Sequence, residues 1–365
     1  MRKIKCRLVA RSIGLHLQQI YTGFFMLHKS GIVDLTQVVE KEELIDYTKA
    51  QFLQDSKYTH LNVLINDRIK VHYDTHDSWE IDQEALDGTD YYFKRSFSPE
   101  KLERLGEQRR KIHPLGLYYW LYPSGVDRFA IQRNFILCEG KLQKIYHTIR
   151  PLIFSDLLRF TPRVNNMWSP PDYSLTPKIL FMVRAWETDD DPKRSSEKVA
   201  EIESINETRA NCIKRLKVKF GSKFHGGFIH TDFAVKNYTK LLMSDNRLSS
   251  KGRYVNLLKY YPICVATTGL HGSIGGKFAE YIAFSKAILS EKLNYEVTGN
   301  LNKDRNYLEF NNSEELVENA SRLINDKELR KRIMLNNAKY YQSYLRPDHL
   351  VLNTIKKCLN PGPNL

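Results

Sequence analysis

The chain has 365 residues, more than the roughly 250–300 that a single hydrophobic core usually fills, so we expect two domains. Its 42% hydrophobic and 27% charged residues, with 18 glycines, 13 prolines and 5 cysteines, exclude the disordered, collagen-like, coiled-coil and disulfide-stapled classes. The net charge of +14 is interleaved with acidic residues, which favours solvated helix faces over a nucleic-acid footprint. Two specific partners stay open: a phosphorylated small molecule and an anionic membrane surface.

The N-terminus and the cysteines bear on the compartment. Arg7 and Arg11 interrupt the apolar stretch that a signal peptide would need, and no apolar run approaches the roughly 18–20 residues of a membrane span. The cysteines are odd in number, far apart and without a CxxC pair, which is typical of reduced thiols. We therefore expect a cytoplasmic protein, with peripheral contact at the inner membrane face left open.

The first half alternates short apolar runs with amphipathic stretches, the pattern of α/β layers around a mainly parallel sheet. The predicted elements are a strand at Ile4–Val9, a helix at Gln18–Lys29 and strands at Leu61–Ile65, Ile69–Tyr73 and Tyr91–Phe97. Thr161–Pro177 holds four prolines and little helical or strand pattern, so we predict a linker there. The resulting domains are 1–165 and 166–340, followed by a C-terminal helical segment, 341–365.

The second half repeats this alternation. The predicted strands are Lys178–Arg184, Gly226–His230, Ile263–Thr267, Ala287–Ser290 and Tyr307–Phe310. The predicted helices are Ser195–Phe220, Gly252–Lys259, Lys277–Phe284, Ser313–Asn325, Lys327–Tyr344 and Pro347–Cys358. An apolar stripe at helical spacing in the longest helix predicts core packing, and Asn312 with Glu315 has the spacing of a capping box. Two α/β units in tandem are therefore expected.

The most informative segment is Ala266–Glu291, which is predicted to form a strand, a glycine-rich turn, a helix and a second strand. In open α/β sheets ligands bind at the carboxyl ends of the strands, and a helix N-terminus after such a turn offers N–H donors to a diphosphate. A GxxxxGK[ST] phosphate loop would need Gly at position 271 and Ser or Thr at position 278, but His271 and Phe278 stand there. The GxGxxG fingerprint is also absent near the first strand.

The sequence K-F-A-E-Y-I-A at Lys277–Ala283, followed by S-K-A-I-L-S at Ser285–Ser290, resembles the donor-site helix of GT-B fold glycosyltransferases. The resemblance implies an α/β fold of two Rossmann-like domains in tandem, with a cleft between them and a C-terminal helix crossing back to the first domain. It also implies that Glu280 binds the ribose of a nucleotide-diphosphate sugar. The residues that it places near the diphosphate are His271, Ser273, Gly275, Gly276 and Lys277.

The resemblance is incomplete at two positions. Many retaining members carry a second glutamate eight positions before the first, where this chain has Gly272, and Ser285 replaces a usual glycine. Retention or inversion of the sugar therefore stays open. The expected activity is metal-independent transfer of a sugar to the hydroxyl of a small-molecule or glycan acceptor, with no cofactor besides the donor and no nucleic-acid partner.

Outside the motif, polar residues follow two predicted strands. Arg184 suits a diphosphate clamp, because guanidinium pairs with phosphate oxygens in a bidentate manner; a surface ion pair is the alternative. Glycosyl transfer to a hydroxyl needs a general base, for which we predict Asp77 and Asp74, then His76; an ordinary Asx-turn is the alternative. Lys94 and Arg95 could bind an anionic acceptor or simply decorate a strand.

Two other functions remain open from the sequence. Asp189–Asp191 has the form of a metal-binding DxD run, although acidic residues before a helix are ordinary partners of its dipole. Our prediction is that no metal is held there, and a metal-dependent transferase is the alternative. A basic, non-catalytic protein that binds nucleic acid or another anionic polymer is the alternative from a different class.

Overall fold

The computed structural model describes residues 3–41, 59–138, 140–142, 144–145, 160–188 and 194–360. The chain divides into two compact units, which we call the first and second unit. The first unit comprises Met1–Asn166, Tyr295–Gly299 and Gln342–Leu365, and the second comprises Met167–Asn294 and Asn300–Tyr341. Each unit is built around one β-sheet.

The sheet of the first unit is mixed. Its strands are β1 (Ile4–Ala10), β2 (Val33–Val39), β3 (His60–Ile65), β4 (Ile69–Asp74), β5 (Tyr91–Lys94) and β6 (Ile112–Pro114). Their order is β2-β1-β3-β4-β5-β6, and β3 alone among them runs antiparallel to its neighbours. A tight turn joins β3 to β4 through Asn66 and Asp67, which have φ angles of 51° and 58°; Asn and Asp tolerate this left-handed conformation better than most residues.

The terminal helix of the chain packs on this sheet. The helices of the first unit whose bounds lie within the described residues include α1 (Gln18–Lys29), α2 (Gln83–Asp87), α3 (Pro99–Leu102), α4 (Arg128–Leu137) and, after the second unit, α11 (Pro347–Leu359). Leu8, Tyr73 and Phe24 share one buried cluster with Val351 and Ile355 of α11. The Tyr73 hydroxyl lies 2.6 Å from the Thr354 hydroxyl. Burial of the apolar faces of α1 and α11 therefore stabilises one side of the sheet.

The sheet of the second unit is fully parallel. Its strands are β7 (Ile179–Val183), β8 (Phe224–Phe228), β9 (Ile263–Ala266), β10 (Ala287–Glu291) and β11 (Tyr307–Phe310), in the order β11-β10-β9-β7-β8. The chain moves from β7 to one side and then crosses back to build the other side. The order reverses between β7 and β9, which makes their carboxyl ends a topological switch point.

The helices of the second unit cover both faces of this sheet. They are α5 (Ser196–Phe220), α6 (Asp232–Asn237), α7 (Lys251–Leu258), α8 (Gly276–Ala283), α9 (Ser313–Asn325) and α10 (Lys327–Tyr340). Every residue of β7 is buried, as expected for a central parallel strand. The side chain of Asn312 accepts hydrogen bonds from the N–H groups of Glu314 and Glu315, so the predicted cap of α9 is present.

The predicted α/β class with two Rossmann-like units is confirmed by these two sheets. The sequence analysis did not anticipate β2, β6, the short helices α2, α3, α4 and α6, the antiparallel direction of β3, or the assignment of Tyr295–Gly299 to the first unit. In the described part of the chain, no helix combines the length and the apolar character that crossing a membrane requires.

Candidate functional site

The residues predicted to bind the nucleotide-sugar donor lie on segments at the switch point of the second sheet. Arg184 directly follows β7, and the turn Thr267–Gly275 leads from β9 into α8. In doubly wound sheets, ligands bind in the crevice outside such strand ends. The predicted residues on these segments are Arg184, His271, Ser273, Gly275, Gly276, Lys277 and Glu280.

The N-terminus of α8 has no side-chain cap. Gly275 is its N-cap residue, with φ −66° and no side-chain hydrogen bond to the first turn, so the first N–H groups are left to other acceptors. A Cβ atom at Gly275 would meet nothing closer than the Thr267 carbonyl oxygen, at 3.8 Å. Neither backbone angle nor packing therefore requires glycine at this position, and its missing side chain leaves open space in front of the helix.

Glu280 lies one turn into α8 and is only 5% exposed. Its Oε1 accepts a hydrogen bond from Lys251 Nζ of α7, whereas Oε2 is buried and has no hydrogen-bond partner among the described residues. A buried carboxylate oxygen without a donor is costly. Such an atom is a candidate ligand-binding group, because a donor from a bound molecule would satisfy it.

Two ammonium groups lie beside this carboxylate. Lys277 Nζ donates to the Met182 carbonyl oxygen near the end of β7, and Lys251 and Lys277 lie 5.5 and 5.1 Å from the centroid of the Tyr254 ring. Burial lowers the pKa of Lys277 to about 8, while Glu280 opposes this shift. Lys277 therefore remains mostly protonated at neutral pH, which suits a site for an anion.

Arg209 of α5, which we did not predict, ties the two strand ends together. It is 7% exposed and donates to the Arg184 carbonyl oxygen at 2.8 Å, the Thr267 hydroxyl at 3.0 Å and the Thr268 carbonyl oxygen at 3.0 Å. Burial lowers its pKa to about 10, so it stays charged at neutral pH. The signal in the sequence was the presence of Asn206 and Arg209 on a helix face that otherwise buries apolar residues.

The remaining residues predicted for the nucleotide-sugar site are Arg184, His271 and Ser273. Arg184 has a side chain that is 58% exposed and pairs with Glu187 at 3.5 Å. His271 has a left-handed φ of 59°, and its Nε2 lies 3.3 Å from Lys198 Nζ. Ser273 is 4% exposed, and its carbonyl oxygen accepts the Gly269 N–H at 2.9 Å. His271 and Ser273 thus help to hold the turn, and Arg184 offers an exposed guanidinium.

In the first unit, Asp74 ends β4 and lies in a buried polar network. Its side chain is 1% exposed and accepts from the Tyr92 hydroxyl at 2.6 Å, Lys94 Nζ at 2.7 Å and the His76 N–H at 2.8 Å. Burial would raise its pKa, but the Lys94 ammonium and His60 outweigh it and hold the pKa well below its usual range. Both carboxylate oxygens of Asp74, one of the three predicted bases, already accept hydrogen bonds from the protein. Its bond to the His76 N–H orients the loop that follows β4.

Asp77 and His76 lie on that loop. The Asp77 side chain is 41% exposed and pairs through Oδ1 with Arg95, whose guanidinium stacks 4.8 Å from the Tyr118 ring centroid. Oδ2 of Asp77 has no hydrogen-bond partner among the described residues. The Ser78 N–H donates to His76 Nδ1 at 3.2 Å, so the neutral ring carries its proton on Nε2. Asp77 can accept a proton in this geometry, whereas His76 is arranged as a donor.

The candidate metal run cannot be placed, because Asp189–Asp191 lies outside the described residues. Within the described ranges, no three His, Cys, Asp or Glu side chains come together as a metal site would require.

No protein-family model and no curated protein matches the sequence. Several solved structures are similar to the chain at low identity. One is MnaA of S. aureus with UDP, at 12% identity over 98% of this chain and 97% of that chain, with a TM-score of 0.42. A putative UDP-N-acetylglucosamine 2-epimerase from Listeria monocytogenes has 10% identity over 100% and 98%, with a TM-score of 0.40. A glycosyltransferase from Rickettsia africae has 12% identity over 93% and 74%, also with a TM-score of 0.40.

The chain resembles GT-B glycosyltransferases in its donor-site motif, and it contains two α/β units. TM-scores of 0.40 to 0.42 carry no argument for a reaction or a ligand. What supports a function is the geometry at the switch point of the second sheet.

Proposed function

We propose that the protein is a glycosyltransferase that moves a sugar from a nucleotide-diphosphate sugar to an acceptor hydroxyl. One observation carries the proposal: a buried carboxylate oxygen, Glu280 Oε2, has no partner among the described residues, and Glu280 lies on α8, whose N-cap residue, Gly275, makes no side-chain hydrogen bond to the first turn. A nucleoside diphosphate would satisfy both features, because its ribose donates hydroxyls and its diphosphate accepts N–H groups.

In this proposal the donor binds at the crevice of the second unit. The diphosphate accepts from the first N–H groups of α8, and the helix dipole favours its negative charge. Lys277 and Arg184 supply further positive charge, and Glu280 accepts from the ribose. As the bond between the sugar and the diphosphate breaks, the electron pair goes to the leaving phosphate oxygen. These donors offset the growing charge without a metal ion.

Asp77 of the first unit is the group that we propose as general base. The acceptor oxygen forms the new bond to the anomeric carbon, and its proton passes to Asp77 Oδ2. The ion pair with Arg95 fixes the other oxygen of Asp77, and Asp74 orients the loop through the His76 N–H. Asp74 and Arg95 are therefore positioning residues in this proposal, and His76 offers a hydrogen-bond donor.

The function is tested by thermal unfolding of the full chain with UDP-, ADP- and GDP-sugars and with duplex DNA and RNA, each with and without chelator. A ligand that binds only the folded protein raises the midpoint with concentration. We expect stabilisation by one nucleotide class that survives chelation. Stabilisation only with divalent metal would favour the metal-dependent alternative, and a response to duplex DNA or RNA alone would favour the nucleic-acid-binding alternative.

Asp77→Asn should abolish most transfer while leaving donor binding intact. Loss of a general base costs about 10²–10⁴-fold in rate, so we expect kcat to fall by that factor and the donor Kd to stay within about twofold. Acceptor-dependent release of the nucleoside diphosphate measures the first quantity and calorimetry the second. Asp67→Asn, at an exposed pair with Lys5, is the matched control. Unchanged kcat in Asp77→Asn would remove Asp77 from the mechanism.

Gly275→Ala should weaken donor binding without unfolding the protein. The added methyl occupies open space and replaces an N-cap glycine, so the free energy of unfolding should change by less than about 1 kcal/mol. Donor affinity should fall about tenfold or more, because the methyl competes with the phosphate for that space. Calorimetry and urea unfolding measure the two effects.

Gly226→Ala is the contrasting variant for this test. A Cβ atom at Gly226 would lie 2.0 Å from the Phe181 carbonyl oxygen, at a φ of 157°, so we expect destabilisation of about 3 kcal/mol or more. If Gly275→Ala were destabilised as strongly as Gly226→Ala, the glycine at position 275 would serve the fold and not a ligand.

A further inference from the structure

The residue that anchors Glu280 comes from a different helix. Lys251 is the first residue of α7, and its Nζ donates to Glu280 Oε1 across 29 positions of sequence. The Lys251 side chain is 25% exposed and the Glu280 side chain 6%. Nothing in the local sequence connects Lys251 to the donor-site helix, so its contact with Glu280 depends on the folded chain.

The ion pair between Lys251 and Glu280 uses only one of the two carboxylate oxygens. Burying a carboxylate costs free energy that is recovered only when its lone pairs are satisfied. Lys251 satisfies Oε1, but neither Lys251 nor Lys277 satisfies Oε2, since Lys277 Nζ donates to the Met182 carbonyl oxygen. A pair that served only the fold would be expected to use both oxygens. The arrangement instead fixes the carboxylate by one oxygen, and the other has no partner in the part of the chain that the structure describes.

We infer that Lys251 is a positioning residue for nucleotide recognition: it holds the Glu280 carboxylate so that Oε2 accepts a hydrogen bond from a ribose hydroxyl of the bound nucleotide. The inference rests on the proposed function. Lys251 does not touch the nucleotide in this arrangement and acts through Glu280. Preorganised acceptors bind more tightly because they need not be ordered when the ligand arrives.

This role predicts a specific loss when Lys251 is removed. A hydrogen bond to a charged group changes affinity by about 10–100-fold, so the wild type should bind a ribonucleoside diphosphate that much more tightly than its 2′,3′-dideoxy analogue. Without Lys251 the carboxylate is no longer held in place, and this ratio should fall to about threefold or less. Binding of the dideoxy analogue itself should change little, because it makes no bond to Glu280.

The experiment is a calorimetric cycle on the full chain. UDP, ADP and GDP are titrated first, and the tightest of them is then compared with its dideoxy analogue. The variants are Lys251→Met and Lys251→Gln, whose amide is one bond shorter than the lysine chain and does not reach Oε1. Both variants remove the Lys251 ammonium, so the test can still be made if one of them does not fold. Lys251→Arg should retain the discrimination within about threefold, because it keeps a charged donor.

Lys331→Met is the matched control, because Lys331 also pairs with a glutamate, Glu328, but on the surface of α10. The ratio of its affinities for the ribonucleotide and the dideoxy analogue should equal that of the wild type.

An equal loss of affinity for both nucleotides in the Lys251 variants would mean that Lys251 acts on the phosphates. An unchanged ratio would mean that Lys251 does not position Glu280. Either result overturns the inference. A wild type that binds nucleotides without distinguishing the ribose overturns the roles of Glu280 and Lys251 but not nucleotide binding. A wild type that binds none of the three overturns the proposed function as well.

Discussion

Lys94→Met should lower the free energy of unfolding by about 3–5 kcal/mol, because it leaves a buried carboxylate without its counter-charge. Lys94 is 0% exposed, and its Nζ lies 2.7 Å from Asp74 Oδ2. Methionine has a similar length but offers no donor and no charge. Urea unfolding at pH 7 measures the effect. Lys5→Met is the matched control, since Lys5 and Asp67 form an exposed pair at 3.3 Å and such pairs contribute about 0–1 kcal/mol.

The loss of stability in Lys94→Met should depend on pH and become smaller as the pH falls. The pKa of Asp74 is held below its unfolded value of about 3.9, so its contribution to stability is present above that value and is lost as the pH falls through the folded pKa. In Lys94→Met the lysine no longer opposes burial, and the folded pKa of Asp74 should rise. Protonation of Asp74 then removes the unpaired buried charge from the variant. The difference in the free energy of unfolding between the variant and the wild type should therefore shrink as the pH falls from 7 to 5. A deficit that did not change over this range would contradict the role assigned to the pair.

Arg209→Met should destabilise the second unit by about 3 kcal/mol or more, since it leaves buried acceptors without donors. The guanidinium supplies hydrogen bonds to the carbonyl oxygens of Arg184 and Thr268 and to the Thr267 hydroxyl. We also expect nucleoside-diphosphate affinity to fall about tenfold or more, because both walls of the crevice lose a common anchor. Urea unfolding and calorimetry measure the two effects.

Arg215→Met on the same helix separates this role from a general effect of losing an arginine. Arg215 pairs with Glu314, and both side chains are well exposed, at 58% and 60%. Its loss should change the free energy of unfolding by about 0.5 kcal/mol or less and leave nucleotide binding unchanged. If Arg209→Met changed stability and nucleotide affinity as little as Arg215→Met, the hydrogen bonds of Arg209 to the ends of β7 and β9 would contribute to neither.

The elements of the second unit were largely predictable, because their signals are local. β7 is a short, wholly apolar run, and α9 begins at an Asn312 cap. The direction of β3 was not predictable, since the apolar pattern of a strand does not state which neighbour it pairs with or in which sense. Tyr295–Gly299 was missed for the same reason: the Glu296 N–H bonds to the Phe97 carbonyl oxygen, a contact that depends on the folded chain.

The candidate site shows the same division between local and distant signals. The donor-site motif brought out Glu280 and the glycines, which lie on one continuous segment. Arg209 and Lys251 reach that segment only through the topology of the sheet. Asp74 and Asp77 looked equivalent in sequence, and the register of β4 against β5 separates them, because it sets Asp74 directly beside Lys94. Asp77 lies beyond the strand, and only its Oδ1 has a hydrogen-bond partner among the described residues.

In the proposed function, the carboxyl ends of β7 and β9 form a nucleoside-diphosphate site with Glu280 as the ribose ligand. Calorimetric titration of UDP, ADP and GDP into the wild type and into Glu280→Gln tests this claim. We expect one of the three to bind the wild type with one site per chain, and Glu280→Gln to bind it about 10–100-fold more weakly. Failure of all three to bind the wild type, or equal affinity in Glu280→Gln, would contradict the claim.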